Sequence, residues 1–214
     1  MHWTDVEVNV SVWELIGVRM EGLLPAAVLP LLLTMVFYLG PLVQTAMDNP
    51  SGFTEELQSV LDVQSWRLCV SDAVWLRNQV VAPVTEELVF RGAMLPMLVP
   101  CTGPTAAIFT APLFFGVAHF HHIIEQRHLY KDSMRVILLV SGHVVGPVLC
   151  HSFCNSQGLP DIGSALRHPQ KPALLFSYVM GLLLFLVLLF PLTDPFFYGA
   201  APVCRLAPPP VSVC

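Results

Sequence analysis

Three groups of residues in this chain have types and spacings that can do chemistry. The first is "EELVFR", residues 86–91, set between the apolar stretches "NQVVAPV" and "AMLPMLVP". On a helix, Glu87 and Arg91 stand one turn apart with the acid on the N-terminal side, the favourable order for an ion pair. Glu86 projects about 100° around the same helix. The simplest division of labour has Arg91 neutralising Glu87, which leaves Glu86 to carry the chemistry. Ionisable groups in apolar surroundings are costly enough to mark function by default. The plainer reading is an ion cluster that snorkels to an interface.

The second group is "FFGVAHFHH", residues 114–122, near the end of an apolar stretch. Phe115 and His119 share a face at i, i+4, His122 lies a turn beyond His119, and His121 points away. The third is "GHVVGPVLCHSFCN", residues 142–155. Its helical reading places His151 and Asn155 on one face, with His143 two turns earlier on nearly the same stripe. An imidazole beside a carboxamide supplies donors of the kind that stabilise an oxyanion. Hydrogen-bonding glue between helices is the alternative use of the same pair.

Taken together, these groups put a carboxylate, a histidine and a His/Asn pair on three apolar segments. Glu86 and His119 can polarise a water for attack on a carbonyl, and His151 and Asn155 can bind the oxyanion that results. That is the inventory of a peptide-bond hydrolase without a covalent nucleophile. Other chemistries fit less well. A zincin needs H-E-x-x-H, and "TEELVFR" has no histidine. A looser metal site from Glu86, His119 and His151 is chemically reasonable, with zinc as the divalent ion that such donors suit. No cofactor is required by the residues themselves. Ser152 and Cys150 are conceivable nucleophiles, but no base is marked beside them and no G-x-S-x-G occurs.

The elements that must position these groups are membrane helices. The chain has 214 residues, 55% hydrophobic and 12% charged, against about 25% charged in soluble domains; its mean hydropathy is +0.67. Charge-free windows run over 22–47, 92–100, 103–124, 136–160 and 172–193. Four of these are long enough to cross a bilayer, a crossing needing about 20 residues. Net charge is −5 and no Lys/Arg cluster occurs, which excludes the electrostatic footprint of a nucleic-acid binder. Basic residues lie in every loop, so they indicate no orientation. The six cysteines include no C-x-x-C pair and suggest neither a disulfide framework nor a zinc site.

The expected architecture is all-α, a polytopic membrane helix bundle with a polar catalytic cavity inside the membrane. Residues 1–21 read as an interfacial lead-in without a secretory signal, 22–198 as one membrane domain, and 199–214 as a disordered tail. Within that domain, Pro25, Pro30 and Pro41 punctuate the first span. Residues 48–72 read as a loop with a short amphipathic helix starting near Thr54. A helix over about 75–98 kinks near Pro83, and "CTGP" ends it.

At the quoted residues the sequence resembles the CAAX prenyl protease family, in its Ras-converting enzyme branch. The family's E-E-x-x-x-R, F-x-x-x-H and H-x-x-x-N signatures stand here as "EELVFR" (86–91), "FGVAH" (115–119) and "HSFCN" (151–155). The likeness extends through "WLRNQVVAPVTEELVFR", "GPVLCHSFCN" and "PLTDP", from about Trp13 to Tyr198. It implies a multi-pass endoprotease of the endoplasmic reticulum membrane that removes the last three residues of prenylated CAAX proteins such as Ras-type small GTPases. By motif, Glu86 and His119 would activate the water, His151 and Asn155 would form the oxyanion hole, and Glu87, Arg91 and Phe115 would support them. A prenyl chain needs access from membrane lipid, which apolar helices provide. Relative to the family, the chain is expected to be short in two places: at its N-terminus, and between "HFHHIIEQ" and "GHVVGPVLCHSFCN". Loss of a crossing there would reverse the helices after it, so a catalytically inactive scaffold or prenyl-protein-binding relative is the alternative function. A metal-binding transporter ranks last, because no internal repeat is found.

Overall fold

The computed structural model describes residues 11–103, 106–107, 110 and 142–199. Among them every regular element is helical, so the protein is an all-α membrane helix bundle. The order is α1 (Val12–Leu15), α2 (Leu23–Phe37), α3 (Leu39–Asp48), α4 (Pro50–Ser59), α5 (Val63–Ser71), then an unbroken helical run. That run comprises α6 (Ala73–Leu76), a first π segment (Arg77–Val81), α7 (Ala82–Glu87), a second π segment (Leu88–Ala93) and α8 (Met94–Thr102). After the undescribed residues come α9 (Val145–Gln157), α10 (Ile162–Arg167), α11 (Lys171–Leu192) and a 3-10 turn (Pro195–Phe197).

Of these, α11 is long and apolar enough to cross a membrane, and α2 with α3 passes the same test as a pair bent by 63°. The expected window over 103–124 lies largely outside the described residues, as does the start of the one over 136–160, up to residue 141. The helix in the described part of that window, 142–160, is α9, 13 residues long, short of the ~20 a crossing needs.

The chain forms two compact units: Met1–Pro30, Val84–Cys150 and Leu192–Cys214 make one, and Leu31–Pro83 with His151–Pro191 the other. In the first unit, close backbone approaches set the packing. Gly17 has φ +85, and a Cβ on it would stand 2.8 Å from the Val144 nitrogen, whose N–H donates to the Gly17 carbonyl at 3.0 Å. Gly92 lies under the Ile16 carbonyl, 3.0 Å from where a Cβ would be. Tyr198 is buried, donates its hydroxyl hydrogen to the Leu192 carbonyl and accepts at its own carbonyl from Arg19. Burial pushes its phenol up to about 12, with Cys150 adding to the shift.

In the second unit, the bend between α2 and α3 falls at Tyr38, not at a proline. Pro30 sits inside α2, and Pro41 lies in the first turn of α3, where a proline costs little. The bend is instead made by packing. Tyr178 of α11 lies against Gly40, where a Cβ would fall 2.3 Å from its ring, and Gly181 lies against the Val36 carbonyl at 2.8 Å. Small residues let helix backbones approach in this way. Phe37 and Phe185 meet edge to face at 5.2 Å, and the Tyr38 hydroxyl donates to the Gly158 carbonyl at 3.2 Å.

The structure differs from the sequence expectation in three places. The polar stretch after α3 is two helices rather than one. The first starts at Asn49, whose side chain accepts from the Gly52 N–H at 3.1 Å with Pro50 at the first helical position; Thr54 lies within it. That is the usual cap chemistry of Asn followed by Pro. The second helix is capped by Asp62, which takes the Gln64 and Ser65 amides. The helix expected over 75–98 runs from Ala73 to Thr102, and Pro83 is accommodated beside a π segment.

Candidate active site

Glu86 and Glu87 end α7, and Arg91 lies in the π segment that follows. Glu87 is 1% exposed and Arg91 8%, and the two form a buried ion pair. The i, i+4 spacing therefore acts as expected. The pair neutralises both charges where bare burial of either would be prohibitive. Glu86, one position earlier, is only half-buried. The helical run that carries the acids departs from α register on both sides of α7, at 77–81 and 88–93. Single-turn π segments of this kind occur frequently at functional sites.

His151 and Asn155 share one face of α9 as the spacing predicts, His151 half-buried and Asn155 exposed. The Asn155 carboxamide nitrogen donates to the Asn78 carbonyl at 2.8 Å. A turn earlier, the Ser152 hydroxyl lies 3.0 Å from the Gln79 carboxamide. With its amide nitrogen turned toward Ser152, Gln79 also reaches the Ser152 carbonyl at 2.7 Å and accepts from the Ser156 N–H at 3.3 Å. Asn78 and Gln79, neither singled out from the sequence, thus stitch the first π segment to α9. Ser152 is engaged with a carboxamide rather than a base, which is not the setting of an activated nucleophile. Cys69, Cys101, Cys150 and Cys154 form no disulfide.

His143 does not continue the His151/Asn155 stripe. The helix begins only at Val145, because the Val144 N–H is committed to the Gly17 carbonyl. The His143 imidazole instead meets the Glu21 carbonyl at 2.7 Å. Phe115, His119, His121 and His122 lie outside the described residues. Glu86 belongs to the first compact unit, and His151 and Asn155 to the second. Among the described residues no group of three or more His, Cys, Asp or Glu stands ready to hold a metal ion. Of the suggested set Glu86, His119 and His151, one member is not described. The donor types of that set suit zinc.

The sequence is similar to those of known proteins. The family model described as "Type II CAAX prenyl endopeptidase Rce1-like" matches residues 71–157, the stretch that holds all three motifs. CAAX prenyl protease 2 of Rattus norvegicus is 57% identical over 203 residues, covering 95% of this chain and 66% of the relative. The protein of the same name from Homo sapiens is 51% identical over 224 residues, covering 95% and 68%. That from Caenorhabditis elegans is 30% identical over 197 residues, covering 81% and 72%. No solved structure matches. The chain belongs to the type II CAAX prenyl endopeptidase family, a family of peptidases, and it is a membrane protein. It spans about two thirds of the length of these relatives.

Proposed function

We propose that this chain is an endoprotease that removes the C-terminal tripeptide from prenylated CAAX proteins, with Ras-type small GTPases among its substrates. It works as a multi-pass protein of the endoplasmic reticulum membrane. Residues 22–198 are its protease domain, and the prenyl chain enters from the lipid. The Glu86 carboxylate takes a proton from a water oriented by His119, and the hydroxide adds to the scissile carbonyl. His151 and Asn155 donate to the oxyanion. Collapse of the tetrahedral intermediate breaks the C–N bond, and the departing tripeptide amine takes the proton back from Glu86. Phe115 supports His119.

The observation that carries this reading is the split between two adjacent acids. Glu87 is committed to Arg91 in a buried pair, while half-buried Glu86 presents a different helix face in a chain of this peptidase family. The test is release of the tripeptide from a farnesylated CAAX peptide by purified chain in detergent, beside Glu86→Ala. Cleavage by the parent and loss of at least a hundredfold in the variant, within the usual weight of a general base, support the mechanism. Folded parent protein that cleaves nothing favours the scaffold reading instead.

A further inference from the structure

Pro83 stands five residues after Asn78, and that spacing leaves a backbone carbonyl without its helical donor. In an α-helix a carbonyl accepts from the amide four residues on, and in a π segment from the amide five residues on. The Ala82 N–H, which α register would assign to the Asn78 carbonyl, donates to Arg77 instead. The π-register donor for Asn78 would be residue 83, and proline has no N–H. A polar backbone group left in that state must find a partner from elsewhere. It finds Asn155, whose carboxamide nitrogen lies 2.8 Å away, while the Gln79 and Ser152 contact at 3.0 Å holds the same two helices in register.

A carboxamide has two N–H bonds in one plane. When one is fixed on the Asn78 carbonyl, the direction of the other is set before any substrate arrives. We propose that Pro83 is a positioning residue for the hydrolysis: by withholding an N–H, it leaves the Asn78 carbonyl free to orient Asn155, so that the second Asn155 N–H is pre-aimed as an oxyanion donor. The inference rests on the reading of Asn155 given above. It makes the proline a device rather than a tolerated kink, because donors fixed in advance cost no reorganisation during reaction.

The experiment uses Pro83→Ala in the full chain in detergent. The new N–H satisfies Asn78 within the helix in π register, and relaxation to α register would let Ala82 do so. Pro83 is fully buried, so Pro83→Val, with its larger side chain, serves where alanine underfills the site. The side-chain amide signals of Asn155, assigned by their loss in Asn155→Ala, are expected to lose their exchange protection in the Pro83 variants. In the peptide assay kcat falls on the order of tenfold with KM nearly unchanged, the signature of a group that acts in the transition state. Thermal stability holds or rises, since an interior proline is removed. On an Asn155→Ala background, Pro83→Ala lowers kcat no further. Unchanged Asn155 signals, an unchanged kcat, or losses that multiply in the double variant would overturn the proposal. If the parent chain cleaves nothing, the protease reading falls, and the amide signals alone decide whether Pro83 orients Asn155.

Discussion

Arg91→Ala tests whether the buried pair is what allows an acid-rich sequence to fold among apolar helices. Both partners lie at the buried end of the scale, Glu87 at 1% and Arg91 at 8% exposure. The exposed-pair value of about 0–1 kcal/mol does not apply to such a site. Removing one member of a buried ion pair costs about 3–5 kcal/mol. For a chain of this size each kcal/mol shifts Tm by roughly 2–4 °C, so the expected loss is roughly 6–20 °C. Thermal unfolding in a mild detergent, followed by circular dichroism, measures it. Glu87→Gln should cost less, because the amide still accepts a hydrogen bond from the guanidinium. The pair Glu87→Leu with Arg91→Met should recover at least half of the single-variant loss, since apolar replacement of both charges is often neutral. A cost below about 1 kcal/mol for Arg91→Ala, or a double variant no better than the sum of its singles, would refute the reasoning.

The remaining predictions concern the packing and the caps. Gly181→Ala places a methyl group 2.8 Å from the Val36 carbonyl and 3.0 Å from Leu39 Cβ. It should destabilise the protein by about 1–3 kcal/mol through overpacking, read as a lower Tm; an unchanged Tm would mean that the close helix approach is not required. At Asp62, the Ser65 hydroxyl, the Ser65 N–H and the Gln64 N–H hold the carboxyl below its usual range. A depressed folded-state pKa adds stability that is complete above the unfolded value and lost as pH falls through the folded one. Amide exchange in α5 should therefore accelerate on acidification below about pH 4, and Asp62→Asn should keep the cap but abolish that dependence. An identical pH profile in the variant would count against the cap.

Much of the local structure was legible because it depends on neighbours in sequence. The Glu87–Arg91 pair follows from helix geometry, and the break after Thr102 from Gly103, whose φ of +78 suits glycine. The start of α4 is equally legible in Asn49-Pro50, a stronger cap than Thr54 and five residues ahead of it. The two π segments left no such trace. They add one residue per turn without changing which residues are apolar, so hydrophobic periodicity does not register them.

The sequence by itself determined that this is an all-α membrane protein of the type II CAAX prenyl endopeptidase family. Apolar content, charge-free windows and three spaced motifs are local quantities, and they survive without knowledge of what packs on what. Tertiary structure decided the rest. The bend at Tyr38 depends on Tyr178 meeting Gly40 and on Gly181 meeting Val36. The late start of α9 depends on the Val144 amide binding Gly17, and the orientation of Asn155 on a carbonyl 77 residues away. Each is a contact between segments distant in sequence, where the geometry of one backbone group sets the partner of another, and no window along the chain contains both.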